Sequence, residues 1–186
     1  MVPSSPTVQL RTMLTISSSL SALSPIRSPS KLVVRSRGAA LPAERPDLQQ
    51  RLRQDPSLLP VAIDEILRIH APLIANRRVA TGAVEIGGRE IGAGERITLI
   101  WASANRDEEV FGDPDEFRLD RDPAENLLYG AGIHVCPGAP LARSELRIVM
   151  EELISRTRGF SLVPARPPTR ATYPASGFAS LPLRID

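Results

Sequence analysis

The chain has 186 residues, 42% hydrophobic and 24% charged, an ordinary globular balance that excludes wholesale disorder. No apolar run reaches the ~20 residues of a membrane-spanning helix, and a single cysteine excludes an intramolecular disulfide or a multi-cysteine zinc site. The net charge is +2, but residues 1–43 hold five basic groups (Arg11, Arg27, Lys31, Arg35, Arg37) and no acid, which leaves −3 for the rest and no broad footprint for nucleic acid.

Residues 1–43 contain ten serines and several prolines, with apolar residues in no helical or strand period. Organelle transit peptides, disordered tails and upstream sequence that encodes no fold share this composition. Every basic residue except Lys31 is arginine. That bias suggests a GC-rich bacterial source, hence a cytoplasmic bacterial protein, and argues against an organelle address. The chain divides into a disordered leader over 1–45 and a folded segment over 46–186.

The folded segment opens with a short helix from Asp47 to Asp55, carrying Leu48 and Leu52 at i and i+4. Pro60 suits a helix start, and Val61–His70 follows with Ala62, Ile66 and Ile69 on one stripe until Pro72 stops it. Ala83–Ile86 and Arg89–Ile91 flank Gly87-Gly88, the signature of a two-residue hairpin turn. Arg96–Trp101 alternates and reads as a strand. Residues 105–126, dense in Asp, Pro and Asn, read as a long irregular loop. A glycine-rich stretch, Tyr129–Gly138, leads into a helix over Pro140–Arg156 with Ala142, Leu146, Val149, Met150 and Leu153 on its core face. Tyr173–Ile185 reads as a short closing hairpin.

Chemistry concentrates in Tyr129–Gly138. Three glycines surround the only cysteine, Cys136, just before a long helix. Glycine lets the backbone approach a flat ligand, and a helix N-terminus favours thiolate over thiol. Cys136 is therefore a candidate anionic sulfur ligand or nucleophile, although a lone cysteine is also commonly a small buried hydrophobe. His134 is within two residues as a possible base; the only other histidine is His70. One thiolate with no further ligand set cannot close a zinc site, but it can be the single protein ligand of a haem.

Gly130-x-Gly132-x-His134-x-Cys136-x-Gly138, followed by Ala139-Pro-Leu-Ala-Arg143, resembles the haem-thiolate signature of the bacterial cytochrome P450 monooxygenases. Glu65-Ile-Leu-Arg68 resembles the family's Glu-x-x-Arg. Ala104-Asn-Arg-Asp107 and Phe111–Phe117 resemble the loop between the two motifs, and Ser180-Leu-Pro-Leu-Arg184 the closing strand. The resemblance runs from about residue 46 to the C-terminus. It implies an α+β chain, namely the C-terminal, proximal haem-side portion of the mainly helical cytochrome P450 fold with small β-hairpins.

The resemblance implies haem b, with Cys136 as its iron ligand and catalytic centre. Arg78, Tyr129, Gly130, His134, Gly138 and Ala142 complete the cofactor contacts, His134 and Arg78 as partners of the propionates. Arg77 reads as a plain surface residue. Tyr129 replaces the usual phenylalanine, Ala131 a sometime basic residue, and Pro137 offers no N–H. Glu65 and Arg68 are expected as a buried pair tied to the loop before the cysteine. The family's third, basic member falls at Glu116, a departure for which Arg106 is the substitute expected here. Substrate contacts are expected at Leu73, Ile74, Ala75, Pro174 and Ala175, all small or apolar, as suits a lipophilic small molecule. A ferredoxin-type partner with an NAD(P)H-dependent reductase would supply electrons.

The family also needs a distal helix with an acid–alcohol pair. Nothing before Glu65 matches it, and Ala93-Gly-Glu-Arg96 lacks the threonine and follows the Glu-x-x-Arg. The expected function is thus a haem-thiolate monooxygenase in a truncated, inactive chain. Its rivals are a non-catalytic remnant that binds haem weakly or not at all, and an interaction module whose basic tail meets an acidic partner or membrane surface.

Overall fold

The computed structural model describes residues 7–9, 38–173 and 175–186. The disorder expected of the leader falls largely outside them. Within the leader, Thr7–Gln9 form strand β1. The folded part also begins before residue 46. Residues 38–44 are helical (α1), and Ala39, Ala40 and Ala43 are buried in the main core. The reason is size. A Cβ placed at Gly38 would meet Leu146 Cδ2 at 3.3 Å, so this run of small residues lets α1 approach the long helix closely. An alanine stripe carries little hydrophobic signal in a sequence, which is why the boundary at 45/46 falls too late.

Helices α2 (Pro46–Gln54) and α3 (Leu59–His70) match the expected pair, joined by a 3-10 turn at Pro56–Leu58 in which the Ser57 N–H donates to the Asp55 side chain. Proline stands in the first turn of both helices, where an N–H has no partner to lose. Helix α3 ends on Ala71 at φ 35°, a left-handed cap that turns the chain into Pro72.

Strand β2 (Asn76–Val79) pairs antiparallel with β5 (Arg96–Leu99). Between them β3 (Val84–Ile86) and β4 (Arg89–Ile91) form the predicted hairpin, with Gly87 and Gly88 both at positive φ. The strand expected through Trp101 stops at Leu99; Trp101–Ala104 is instead a helical turn, α4. The expected irregular loop contains one more turn, α5 (Glu108–Phe111), capped by Asp107, and a 3-10 turn at Pro123–Glu125, capped by Asp122. Aspartate before a short turn is a capping signal that loop composition hides.

Helix α6 (Ala139–Arg156) buries Ala139, Leu146, Met150, Leu153 and Ile154, with Ala142 and Val149 half-buried beside them. Its core residues join those of α1, α2 and α3 in one cluster closed by Phe160, Leu181 and Leu183. The end of the chain differs from the expected hairpin. Strand β8 (Phe178–Ser180) pairs back to β7 (Thr169–Arg170), whereas β9 (Pro182–Ile185) lies between β1 and β6 (Phe160–Leu162). Only Leu181 separates β8 from β9, too little chain to reverse direction.

Gln49 is buried and fastens this sheet to the helices. Its amide nitrogen donates to the carbonyls of Pro42 and Phe160, both at 2.7 Å, and its oxygen accepts the Phe160 N–H at 3.1 Å. The side chain thus serves the edge of β6 as a further strand would. Replacing Gln49 with Leu leaves buried backbone groups unpaired and is expected to cost roughly 2–4 kcal/mol in urea unfolding, against less than about 0.5 kcal/mol for the exposed Gln50→Leu.

Candidate functional site

Residues 129–138 form a closed loop at the head of α6. The Cys136 N–H donates to the Tyr129 carbonyl at 2.8 Å, and the Ala139 N–H to the Cys136 carbonyl at 3.1 Å. Inside the loop Gly130 and Gly132 adopt φ +79° and +62°, and Gly132–His134 form a 3-10 turn. A side chain at Gly130 would be strained by the positive φ, with its Cβ 3.4 Å from the His134 carbonyl oxygen. The Cys136 thiol is exposed, not the buried hydrophobe that a lone cysteine often is. A Cβ at Gly138 would come within 3.7 Å of its sulfur, so glycine there leaves that side of the sulfur clear. Ile133, 97% exposed, and Val135 stand bare on the same loop.

This donor set fits haem. It offers one accessible sulfur and uncovered apolar side chains, and no group of three His, Cys, Asp or Glu gathers among the described residues to hold a bare ion. Such a site suits a flat, apolar group that brings its own ring donors. His134 and Arg78 are exposed, and the Arg78 guanidinium donates to the Arg77 carbonyl at 3.0 Å.

Glu65 and Arg68 are 6% and 1% exposed. Arg68 donates Nε to Glu65 Oε2 at 2.7 Å and Nη2 to Oε1 at 2.9 Å. It also reaches the carbonyls of Asn105 (2.7 Å) and Pro114 (2.8 Å) and covers the Phe111 ring at 4.8 Å. The second cation on Glu65, and the third member of the cluster, is Arg121, whose Nε donates to Oε1 at 3.1 Å and whose other nitrogens bind the carbonyls of Phe111 and Asp113. Arg106, expected in this place, instead donates to the Ile69 carbonyl at 2.9 Å and pairs with Asp115. Residues 118–121 offer two arginines, and sequence spacing alone gave no reason to choose between them. The fold turns the backbone N–H of Arg118 toward Glu65 (3.2 Å) and its side chain outward to Asp120.

The cluster continues to the cysteine loop. The Asn105 side-chain oxygen accepts the Leu127 N–H at 2.8 Å, and Asn126 Nδ2 donates to the Asp64 carbonyl at 3.2 Å. Asp64 then pairs with Arg143 of α6, Nη2 to Oδ2 at 3.0 Å, and that guanidinium lies over the Tyr129 ring at 4.5 Å. The Tyr129 hydroxyl is buried and has no hydrogen-bond partner among the described residues. Burial, with the Asp64 charge behind it, pushes its pKa up to about 12 against the opposing pull of Arg143. Neither Asp64 nor the role of Arg143 is legible in the sequence. The one stands beside the more conspicuous Glu65, and the other belongs to the cysteine motif without an assigned contact.

The expected substrate segments meet. Leu73 and Ala175 form an isolated antiparallel bridge, and the Ser176 N–H donates to the Pro72 carbonyl at 2.9 Å. Leu73 is exposed, Ile74 and Ala175 half-buried and Ala75 buried; Pro174 lies outside the described residues.

The cytochrome P450 family model matches residues 38–185. The chain is 50% identical over 114 residues to cytochrome P450 126 of Mycobacterium tuberculosis, covering 61% of this chain and 28% of that protein. It is 42% identical over 138 residues to the steroid C26-monooxygenase of Mycolicibacterium smegmatis, covering 74% and 34%. Among solved structures, CYP109E1 of Bacillus megaterium in complex with corticosterone aligns with TM-score 0.80 and 33% identity, over 85% of this chain and 43% of that one. The chain thus spans less than half the length of these relatives.

Removing Glu65 tests the buried cluster. Glu65→Ala leaves Arg68 buried without its carboxylate and is expected to cost roughly 3–5 kcal/mol in chemical denaturation. Arg121→Ala is expected to destabilise more than Arg106→Ala, because only Arg121 reaches Glu65. Equal losses would place the two arginines on the same footing.

Proposed function

The chain belongs to the cytochrome P450 family, and we propose that it presents the thiolate side of a haem-dependent monooxygenase acting on a lipophilic small molecule. One observation carries the reading. The only cysteine ends a tight glycine loop with its sulfur exposed at the head of an 18-residue helix.

In this reading the sulfur of Cys136 would hold the haem iron. Gly130 and Gly138 keep backbone close and sulfur clear; Tyr129 and Ala142 pack beside it. His134 and Arg78, both exposed, meet the carboxylates of the cofactor. Bound there, haem would supply one-electron and oxygen chemistry, to which the sulfur of Cys136 would lend electron density. Leu73, Ile74, Ala75 and Ala175 contribute an apolar wall for the substrate, and Pro174 is assigned with them by its place in the sequence. Electrons come from a ferredoxin-type protein with its NAD(P)H-dependent reductase. Residence in the bacterial cytoplasm belongs to the same proposal and rests on the arginine bias and the bacterial relatives. No described helix is long and apolar enough to cross a membrane.

A second reading, a chain without catalytic activity, has its own support. No acid–alcohol pair of the kind the family uses to deliver protons to oxygen is found in residues 1–64. In this second reading the 186 residues, assayed by themselves, bind haem weakly or not at all and turn over little or no substrate.

Haem titration followed by a carbon monoxide difference spectrum of the reduced protein tests the ligand. The thiolate-type band is expected for the chain and absent in Cys136→Ala, with helical circular dichroism nearly unchanged. The same band in both would assign the ligand elsewhere. Reconstitution with ferredoxin, reductase, NADPH and lipophilic substrates tests activity. Product formed in step with NADPH consumed, and lost in Cys136→Ala, would establish a complete monooxygenase and end the second reading.

A further inference from the structure

We infer that Arg143 is a positioning residue for the Cys136 thiol, acting through Asp64 and the ring of Tyr129. The inference rests on the reading that Cys136 is the axial ligand. Three elements converge on this guanidinium. Asp64 of α3 takes Nε at 3.1 Å through each carboxylate oxygen and Nη2 at 3.0 Å. Arg143 itself sits in the second turn of α6, seven residues after Cys136. The Tyr129 ring lies under the guanidinium at 4.5 Å, and the Tyr129 carbonyl is the acceptor for the Cys136 N–H at 2.8 Å. The two ends of the cysteine loop are thus tied to one cation.

The geometry of this contact is particular to arginine. A planar guanidinium can hold a carboxylate along its edge while it stacks an aromatic ring on its face; an ammonium is a point charge and cannot do both in one plane. Tyr129 needs that support, because its hydroxyl has no hydrogen-bond partner among the described residues. Its ring is held by packing and by the cation above it. The Arg143 side chain is 50% exposed, and half-exposed ion pairs add little to global stability. What the brace fixes is local: the plane of the ring, the direction of the Tyr129 carbonyl, and with them the place of the sulfur.

The test uses the full chain with Arg143→Ala, Arg143→Lys and Asp64→Asn, and Arg147→Ala as a control on the exposed face of the same helix. Hydrogen exchange of the peptide covering 129–138 is read without haem. It is expected to quicken at least tenfold in Arg143→Ala and at least threefold in Asp64→Asn. Arg143→Lys should restore less than half of the lost protection, and exchange in α3 and Arg147→Ala should be unchanged. In haem-loaded protein, the thiolate share of the carbon monoxide spectrum should fall by half or more in Arg143→Ala. Unchanged loop exchange in Arg143→Ala, or full rescue by lysine, overturns the proposal; so does faster exchange beside an unaltered thiolate band. If Arg143→Ala does not fold, Asp64→Asn and Arg143→Lys decide by the same two readouts. Loss of the band in Cys136→Ala tests the ligand assignment separately, and a chain that takes up no haem is decided by exchange alone.

Discussion

The buried carboxylate of Glu65 is the constraint around which the functional end of this chain is arranged. A charge so nearly removed from water persists only where donors replace its hydration. Here they are the Arg68 fork, the Arg121 Nε and the Arg118 N–H. Arg68 and Arg121 in turn take backbone carbonyls from Asn105, Phe111, Asp113 and Pro114. A segment with almost no regular structure of its own is therefore pinned to helix α3. Its shape comes from carbonyls that seek two buried cations, more than from local propensity.

The cysteine loop inherits its position from that segment. Asn105 holds Leu127, Asn126 holds the Asp64 carbonyl, and two residues later Tyr129 accepts the Cys136 N–H. On the other side, α6 packs its apolar face into the cluster shared with α1, α2 and α3. The sulfur is located by a polar chain on one side and a packed helix on the other. It lies at the surface, on a loop whose turns need the positive φ of Gly130 and Gly132. An exposed sulfur beside bare isoleucine and valine side chains is costly to leave in water, and becomes reasonable once an apolar cofactor covers it.

Much of this was legible beforehand. The amphipathic stripes of α3 and α6, the Gly87-Gly88 turn and the pairing of Glu65 with Arg68 follow from spacing, and the structure reproduces them. The leader boundary was misplaced, because alanines and a glycine that pack against α6 look like linker in a sequence. The C-terminal strands were paired with each other, because periodicity says that a segment is extended but not which neighbour it bonds. Arg106 is the substitute the sequence suggests for the basic residue missing at Glu116, whereas the partner of Glu65 is Arg121, because the assignment depends on how residues 105–121 fold over Glu65. Nothing local marks Asp64, since its partner Arg143 lies 79 residues away.

The sequence by itself determined the chemistry: one cysteine in a glycine frame before a helix, a Glu-x-x-Arg upstream, and helices with a definite apolar face. Those are local properties, set by residue type and by periods of a few residues. Only the tertiary structure decided which cation meets Glu65, which strand lies beside β9, and that Arg143 ties Asp64 to Tyr129. Each joins groups far apart in the chain, and such pairings are selected by packing and by the need to satisfy buried charge, which no local pattern encodes.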